Sequence, residues 1–93
     1  MVHIWHEDSE NSATQKFWEF LRDNDVSQTL KGADIRGFSG NENLQSYIEE
    51  AYFDINDTYY IFMDYVKDNI WAYNTWCDTR NYIKSERLNN VIM

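Results

Sequence analysis

Ninety-three residues, 43% hydrophobic and 17% aromatic, exclude a second domain on size and a disordered tail on composition, since buried aromatics offset ordering entropy over large areas. Sixteen acidic against eight basic side chains give a formal charge of −8, so the averaged field repels phosphate backbones and anionic membranes unless a basic patch, a divalent cation or a cationic partner reverses it locally. Cys77 is the only cysteine, which excludes an intramolecular disulfide and a cysteine zinc cluster and, with no apolar signal core or membrane-length stretch, fits a cytoplasmic location and no membrane.

Val2 to Trp5 is short, β-branched and aromatic, and empties into His6-Glu7-Asp8-Ser9-Glu10-Asn11, as a first strand running into a loop does. Ser12-Ala13-Thr14-Gln15 has the pattern of a capping box, in which the Ser12 hydroxyl and the Gln15 amide satisfy free amides. Ala13, Phe17, Phe20 and Leu21 then share one face of a helix running to about Asn24. Ala33 to Phe38 alternates as a short strand, after Gly32. Ser39-Gly40-Asn41 is turn chemistry, and Leu44, Tyr47, Ile48, Ala51 and Tyr52 recur at helical spacing. Thr58 to Met63 is a continuous β-favouring run, predicting a central strand buried on both faces. After the polar Asp64 to Asn69, the positions Ala72, Trp76 and Ile83 predict a third helix ending near Leu88. Val91-Ile92-Met93 reads as a fourth strand cut off as it begins, as in the N-terminal part of a longer domain. The alternation predicts one α/β domain, a small three-layer Rossmann-like fold with a mainly parallel sheet of about four strands and three helices.

In open parallel sheets ligands bind beyond the carboxyl ends of the strands. The loops at those ends are His6 to Asn11, Ser39 to Glu42 and Asp64 to Asn69. They bring Glu7, Asp8 and Glu10 toward Asp64 and Asp68 at one sheet edge. Carboxylates gathered there repel one another unless a cation compensates, and oxygen ligands suit Mg²⁺ or Mn²⁺ better than zinc. The bland alternative is a set of solvated loop carboxylates, with Asp68 or Asn69 simply capping the third helix. His3 and His6 lie three apart on a strand, so they point to opposite faces and read as structural. Arg80, Lys84 and Arg87 form one basic stripe able to touch nucleic-acid phosphate, against a reading as a solvated, dipole-complementing face. Trp18, Tyr47, Tyr52, Trp71 and Trp76 could offer stacking platforms, though at helical spacing most are expected in the core.

Val2-His3-Ile4-Trp5-His6-Glu7-Asp8 leading into Phe17-Trp18-Glu19-Phe20-Leu21, and later Tyr60-Ile61-Phe62-Met63-Asp64 with Asp68, resembles the TOPRIM family of topoisomerases, primases and overcoming-lysogenization-type nucleases. The resemblance implies Mg²⁺-dependent phosphoryl transfer on nucleic acid. Glu7 would be the acid/base or metal-linked glutamate and Asp64 the first metal-binding aspartate; Asp68 is a further candidate ligand by its loop position and not by the family's spacing. Asp8 stands where the family has glycine, Val66 stands where it has a second aspartate, and the gap from Glu7 to Phe17 is long. These departures imply a degenerate or truncated member. The alternative is a non-catalytic acidic interaction protein, of the kind of a phage-type inhibitor or nucleic-acid mimic, binding a cationic protein partner. An edge strand at Val91 to Met93 also predicts a homo-oligomer formed by sheet pairing.

Overall fold

A computed structural model describes residues 1–24, 26–66 and 68–93. Its elements follow in the order β1 (Val2–His6), α1 (Ala13–Asp23), β2 (Asp34–Gly37), α2 (Asn41–Glu50), β3 (Thr58–Phe62), α3 (Ile70–Ser85) and β4 (Val91–Ile92). The four strands form one parallel sheet in the order β2-β1-β3-β4. Helices cover both faces, which makes a three-layer Rossmann-like α/β domain. Among the described residues no helix is long and apolar enough to cross a membrane.

Register decides which side chains meet. Trp5 lies beside Ile61, His3 beside Tyr59, and Tyr59 beside Val91, so Trp5, Tyr59, Ile61 and Val91 point to one face. There they bury with Leu44 and Ile48 of α2 and Ile83 of α3. Each aliphatic side chain buried this way contributes roughly 1.5–3 kcal/mol relative to exposure. Trp5 is the hub, with Tyr47, Phe53 and Tyr59 ring centroids at 5.0, 5.6 and 5.3 Å.

The opposite face is less covered. Of the helices only α1 lies on it, reaching His6 through Gln15 and Phe62 through Trp18, and Thr29 and Leu30 of the following loop border the same face beside Ile4 and Tyr60. Tyr60 and Phe62 are therefore 37% and 44% exposed, and the expectation that β3 is buried on both faces is corrected. The expected apolar face of α1 is corrected too, because Phe17 and Phe20 are 53% and 63% exposed while Gln15 is buried. Ser12 does cap α1, accepting from the Gln15 amide nitrogen at 3.1 Å. The Gln15 side chain does not return to the cap. Its Nε2 donates to the Ile35 carbonyl at 3.1 Å and its Oε1 sits 2.6 Å from His6 Nε2. With the amide nitrogen committed to Ile35, the oxygen must accept, so His6 Nε2 carries a proton. Tyr52 lies beyond the end of α2 and is exposed, because the chain turns extended at Ala51.

At the amino ends of the strands His3 binds two carboxylates, Nδ1 to Asp34 at 2.7 Å and Nε2 to Asp57 at 2.9 Å. Trp5 Nε1 and Arg36 Nε also donate to Asp34, and the Met1 amine donates to Asp57. Burial works to raise the Asp34 carboxyl, but the hydrogen bonds from His3, Arg36 and Trp5 outweigh it and hold the group below its usual range. Both histidines are thus held by neighbouring side chains, His3 by Asp34 and Asp57 and His6 by Gln15, with His6 Nδ1 buried and without a partner among the described residues.

The carboxyl ends of the strands are packed more tightly. A Cβ on Gly37 would lie 2.7 Å from the Asp8 carbonyl oxygen and 2.7 Å from the Ser9 carbonyl carbon and oxygen, so the β1–α1 loop crosses β2 where only a hydrogen fits. Gly37→Ala is expected to cost about 1–3 kcal/mol, as overpacking against backbone does. Urea unfolding measures it, and an unchanged midpoint would show that the loop does not rest on this glycine.

Candidate functional site

The chain leaves β1 toward β2 on one side and leaves β3 toward β4 on the other, which makes the carboxyl ends of β1 and β3 the switch point where such sheets bind ligands. Glu7 follows β1 and Asp64 follows β3 by two residues. Both line one open cleft of about 300 Å³, together with Ser39, Asn41, Asn69 and Trp71. All three loops singled out from the sequence contribute to it.

Backbone bonds hold Glu7 in place. Its N–H donates to the Phe62 carbonyl at 3.0 Å and its carbonyl accepts from the Gly40 N–H at 2.7 Å, so the residue is tied to β3 and to the start of α2. Gly40 has φ 103°, a left-handed conformation that glycine adopts without a Cβ penalty. Asp64 is held by one side chain. Asn41 Oδ1 accepts from the Asp64 N–H at 3.0 Å, and Asn41 Nδ2 donates to the Asp64 carbonyl at 3.0 Å and to the Ala72 carbonyl at 3.1 Å. Asn41 is 8% exposed. It therefore joins the first turn of α2, the end of β3 and the first turn of α3. In the sequence it reads only as part of a turn, because an asparagine clamp to a distant backbone leaves no local pattern.

Electrostatics set Glu7 apart from an ordinary surface glutamate. Burial, a hydrogen bond shared with Asp8, and the charges of Asp64 and Asp8 push its carboxyl from 4.5 up to about 7. Asp8 moves the opposite way, since the Thr14 hydroxyl donates to it and holds it below its usual range. Two adjacent carboxyls with separated pKa values are one arrangement used for acid/base chemistry near neutral pH, and structural networks produce it too.

Two helices begin at the cleft, whose lining also carries Glu7, Glu42 and Asp64. Residues at the starts of both α2 and α3 line it, and helix N-termini carry partial positive charge and free N–H groups. Asn69 caps α3 through a bond from the Ala72 N–H at 3.3 Å, whereas at α2 the Gly40 cap makes no side-chain hydrogen bond among the described residues. Trp71, expected in the core, is 73% exposed beside the cleft.

The remaining sequence candidates lie elsewhere. Asp68 is exposed in the turn before α3 and is not among the described residues lining the cleft. Arg80, Lys84 and Arg87 do come together, in a groove that shares no lining residue with the cleft among the described residues. No three His, Cys, Asp or Glu side chains among the described residues form a group able to hold a metal alone. Two convergent carboxylates still suit Mg²⁺, which keeps several waters and is commonly held by one or two carboxylates plus substrate phosphates.

Comparisons with protein-family models, curated proteins and solved structures give no match to this chain. The fold and the cleft define its class: a parallel, Rossmann-like α/β domain with an acidic pair and two helix N-termini at its switch point.

Proposed function

We propose that the chain is a TOPRIM-like domain whose cleft carries out cation-assisted phosphoryl transfer on a nucleic acid or related phosphodiester. The observation that carries this reading is the meeting of Glu7 and Asp64 with the starts of α2 and α3 in one cleft. A phosphodiester has the complementary features, an anionic group for the helix N-termini and oxygens that a carboxylate-bound cation can share. Trp71 adds an exposed ring against which a base can stack.

Glu7 and Asp64 are the residues that would hold Mg²⁺ or Mn²⁺, and the cation would supply charge stabilisation at the phosphate. Without the cation, Glu7, with its carboxyl near 7, is divided between protonated and ionised forms at neutral pH and can give or take a proton at its carboxyl oxygen; a bound cation would favour the ionised form. Asp64 keeps its place through Asn41. Phosphate recognition in this reading rests on the helix N-termini and not on Arg80, Lys84 and Arg87, whose groove is separate. Asp8 and Val66 remain departures from the family pattern.

A nucleic-acid mimic needs free carboxylates spread along an extended face. Here Glu7, Asp8 and Asp64 cluster and Asp34 and Asp57 are tied up by His3, while Glu49, Glu50, Asp78 and Glu86 are exposed elsewhere, so the clustered carboxylates favour the cleft reading and the others keep the binding protein as its alternative. The test is cleavage of single-stranded DNA, RNA and a chromogenic phosphodiester with Mg²⁺ or Mn²⁺. Asp64→Asn should lower the rate at least about 100-fold. Absence of cation-dependent cleavage in the parent chain, or an unchanged rate in the variant, would defeat the proposal.

A further inference from the structure

We infer that the groove between α3 and the outer edge of β4 receives an acidic, extended segment of a partner protein, which adds to the sheet as a fifth strand. The inference stands apart from the cleft and does not depend on its chemistry.

Position comes first. β4 is the terminal strand of the sheet and pairs with β3 alone, Val91 beside Tyr59 and Ile92 beside Tyr60. A groove of about 360 Å³ runs beside it, with Arg80, Lys84 and Arg87 above a floor of Ile83, Val91 and Met93. An unpaired strand edge is a template for another strand, whose backbone supplies affinity and whose alternate side chains supply specificity.

Charge then selects the occupant. Arg80, Lys84 and Arg87 are all exposed, and none forms an ion pair among the described residues, although acidic side chains outnumber basic ones sixteen to eight. Arg80 and Lys84 are four apart on one helix, where like charges repel. The helix dipole accounts for Lys84 alone, the one basic residue in the last turn of α3. Arg80 lies a turn earlier, its guanidinium 5.8 Å from the Trp76 ring. Arg87 lies past the helix at φ 54°, where glycine is the usual residue. A cation is held there against conformational preference.

These features favour a peptide over a nucleic acid. Ile83, Val91 and Met93 give the groove apolar lining, the outward Val91 carbonyl can accept although the Val91 N–H is bonded to the Leu88 carbonyl at 3.2 Å, and a net charge of −8 repels a long polyanion while a short segment feels mainly the local cations. The fitting sequence alternates carboxylates with β-branched residues. Its carboxylates face Arg80, Lys84 and Arg87, and its apolar side continues the exposed row of Ile92 and Tyr60.

The probe is a capped heptapeptide alternating Glu and Val, titrated into the full chain and followed by backbone amide NMR. Saturable shifts centred on Val91, Ile92 and Met93 are expected, with about tenfold weaker binding for Arg80→Glu/Lys84→Glu and for the peptide with Gln in place of Glu. Both substituted residues are exposed, and the peptide arm leaves the protein untouched, so a folding defect cannot imitate the result. The inference is overturned if millimolar peptide does not saturate, if the shifts map to the Glu7 cleft, or if oligothymidylate of equal charge binds β4 more tightly. It is overturned equally if sedimentation shows a second copy of the chain on that edge.

Discussion

Glu7→Gln is expected to lower phosphoryl transfer about 10²–10⁴-fold, the usual contribution of a positioned acid or base, while making the protein more stable at pH 8. The two effects have one cause. The folded chain holds the Glu7 proton up to about 7, whereas an unperturbed glutamate releases it near 4.5. Between those values the folded state binds more protons than the unfolded state, so stability falls as pH rises through the window. Above it the ionised carboxylate sits beside Asp64 and Asp8 at a net cost. Glutamine has the same shape without the charge. The gain at pH 8 is about 1–2 kcal/mol, the full linkage value being reduced by solvent screening of a partly exposed group. At pH 4 parent and variant should be nearly equal. Urea unfolding at the two pH values measures this, and a variant less stable than the parent at pH 8 would show that Glu7 is a supporting ion rather than a strained functional one.

Asn41→Ala is expected to cost about 2–4 kcal/mol and to lower activity together with stability. The substitution strands the N–H and carbonyl of Asp64 and removes one of the donors to the Ala72 carbonyl, which keeps the Thr75 hydroxyl at 2.9 Å, and unpaired, partly buried polar groups carry penalties of roughly 1–3 kcal/mol each. Asn41→Asp separates the two roles of the side chain. It keeps an acceptor for the Asp64 N–H, loses the donor to Asp64 and Ala72, and adds a further negative charge near Glu7, Asp8 and Asp64. It should therefore be no better than alanine. A chemical-denaturation midpoint within error of the parent for either variant would mean that Asp64 is held by something else.

The difference between these two residues shows what a sequence exposes and what it conceals. Glu7 and Asp64 were legible because strand ends are legible: Val2 to Trp5 and Thr58 to Met63 are β-favouring runs that stop at polar residues, and parallel topology then brings their ends together. Leu44 and Ile48 were legible through helical period and lie in the core. Asn41 was not, since its partners lie 23 and 31 residues away. Nor was the role of Gln15, whose capping-box position predicts a local bond while His6 and Ile35 offer a buried one. Helical spacing also misassigned Phe17, Phe20 and Trp71, because period identifies a stripe and only the neighbouring layer decides whether it is covered. Over β3 the α1 layer is too narrow to cover Tyr60 and Phe62 fully.

The proposed cation site rests on Glu7 and Asp64 acting as one electrostatic pair. The most direct measurement is a ¹³C-carboxyl NMR titration of the glutamate and aspartate side chains against pH, with and without Mg²⁺ and inorganic phosphate. The account predicts a Glu7 midpoint of about 7 in the free protein, displaced downward by Mg²⁺, more strongly with phosphate present, and insensitive to Mg²⁺ in Asp64→Asn. A Glu7 midpoint near 4.5, unmoved by Mg²⁺ or by the substitution, would contradict it.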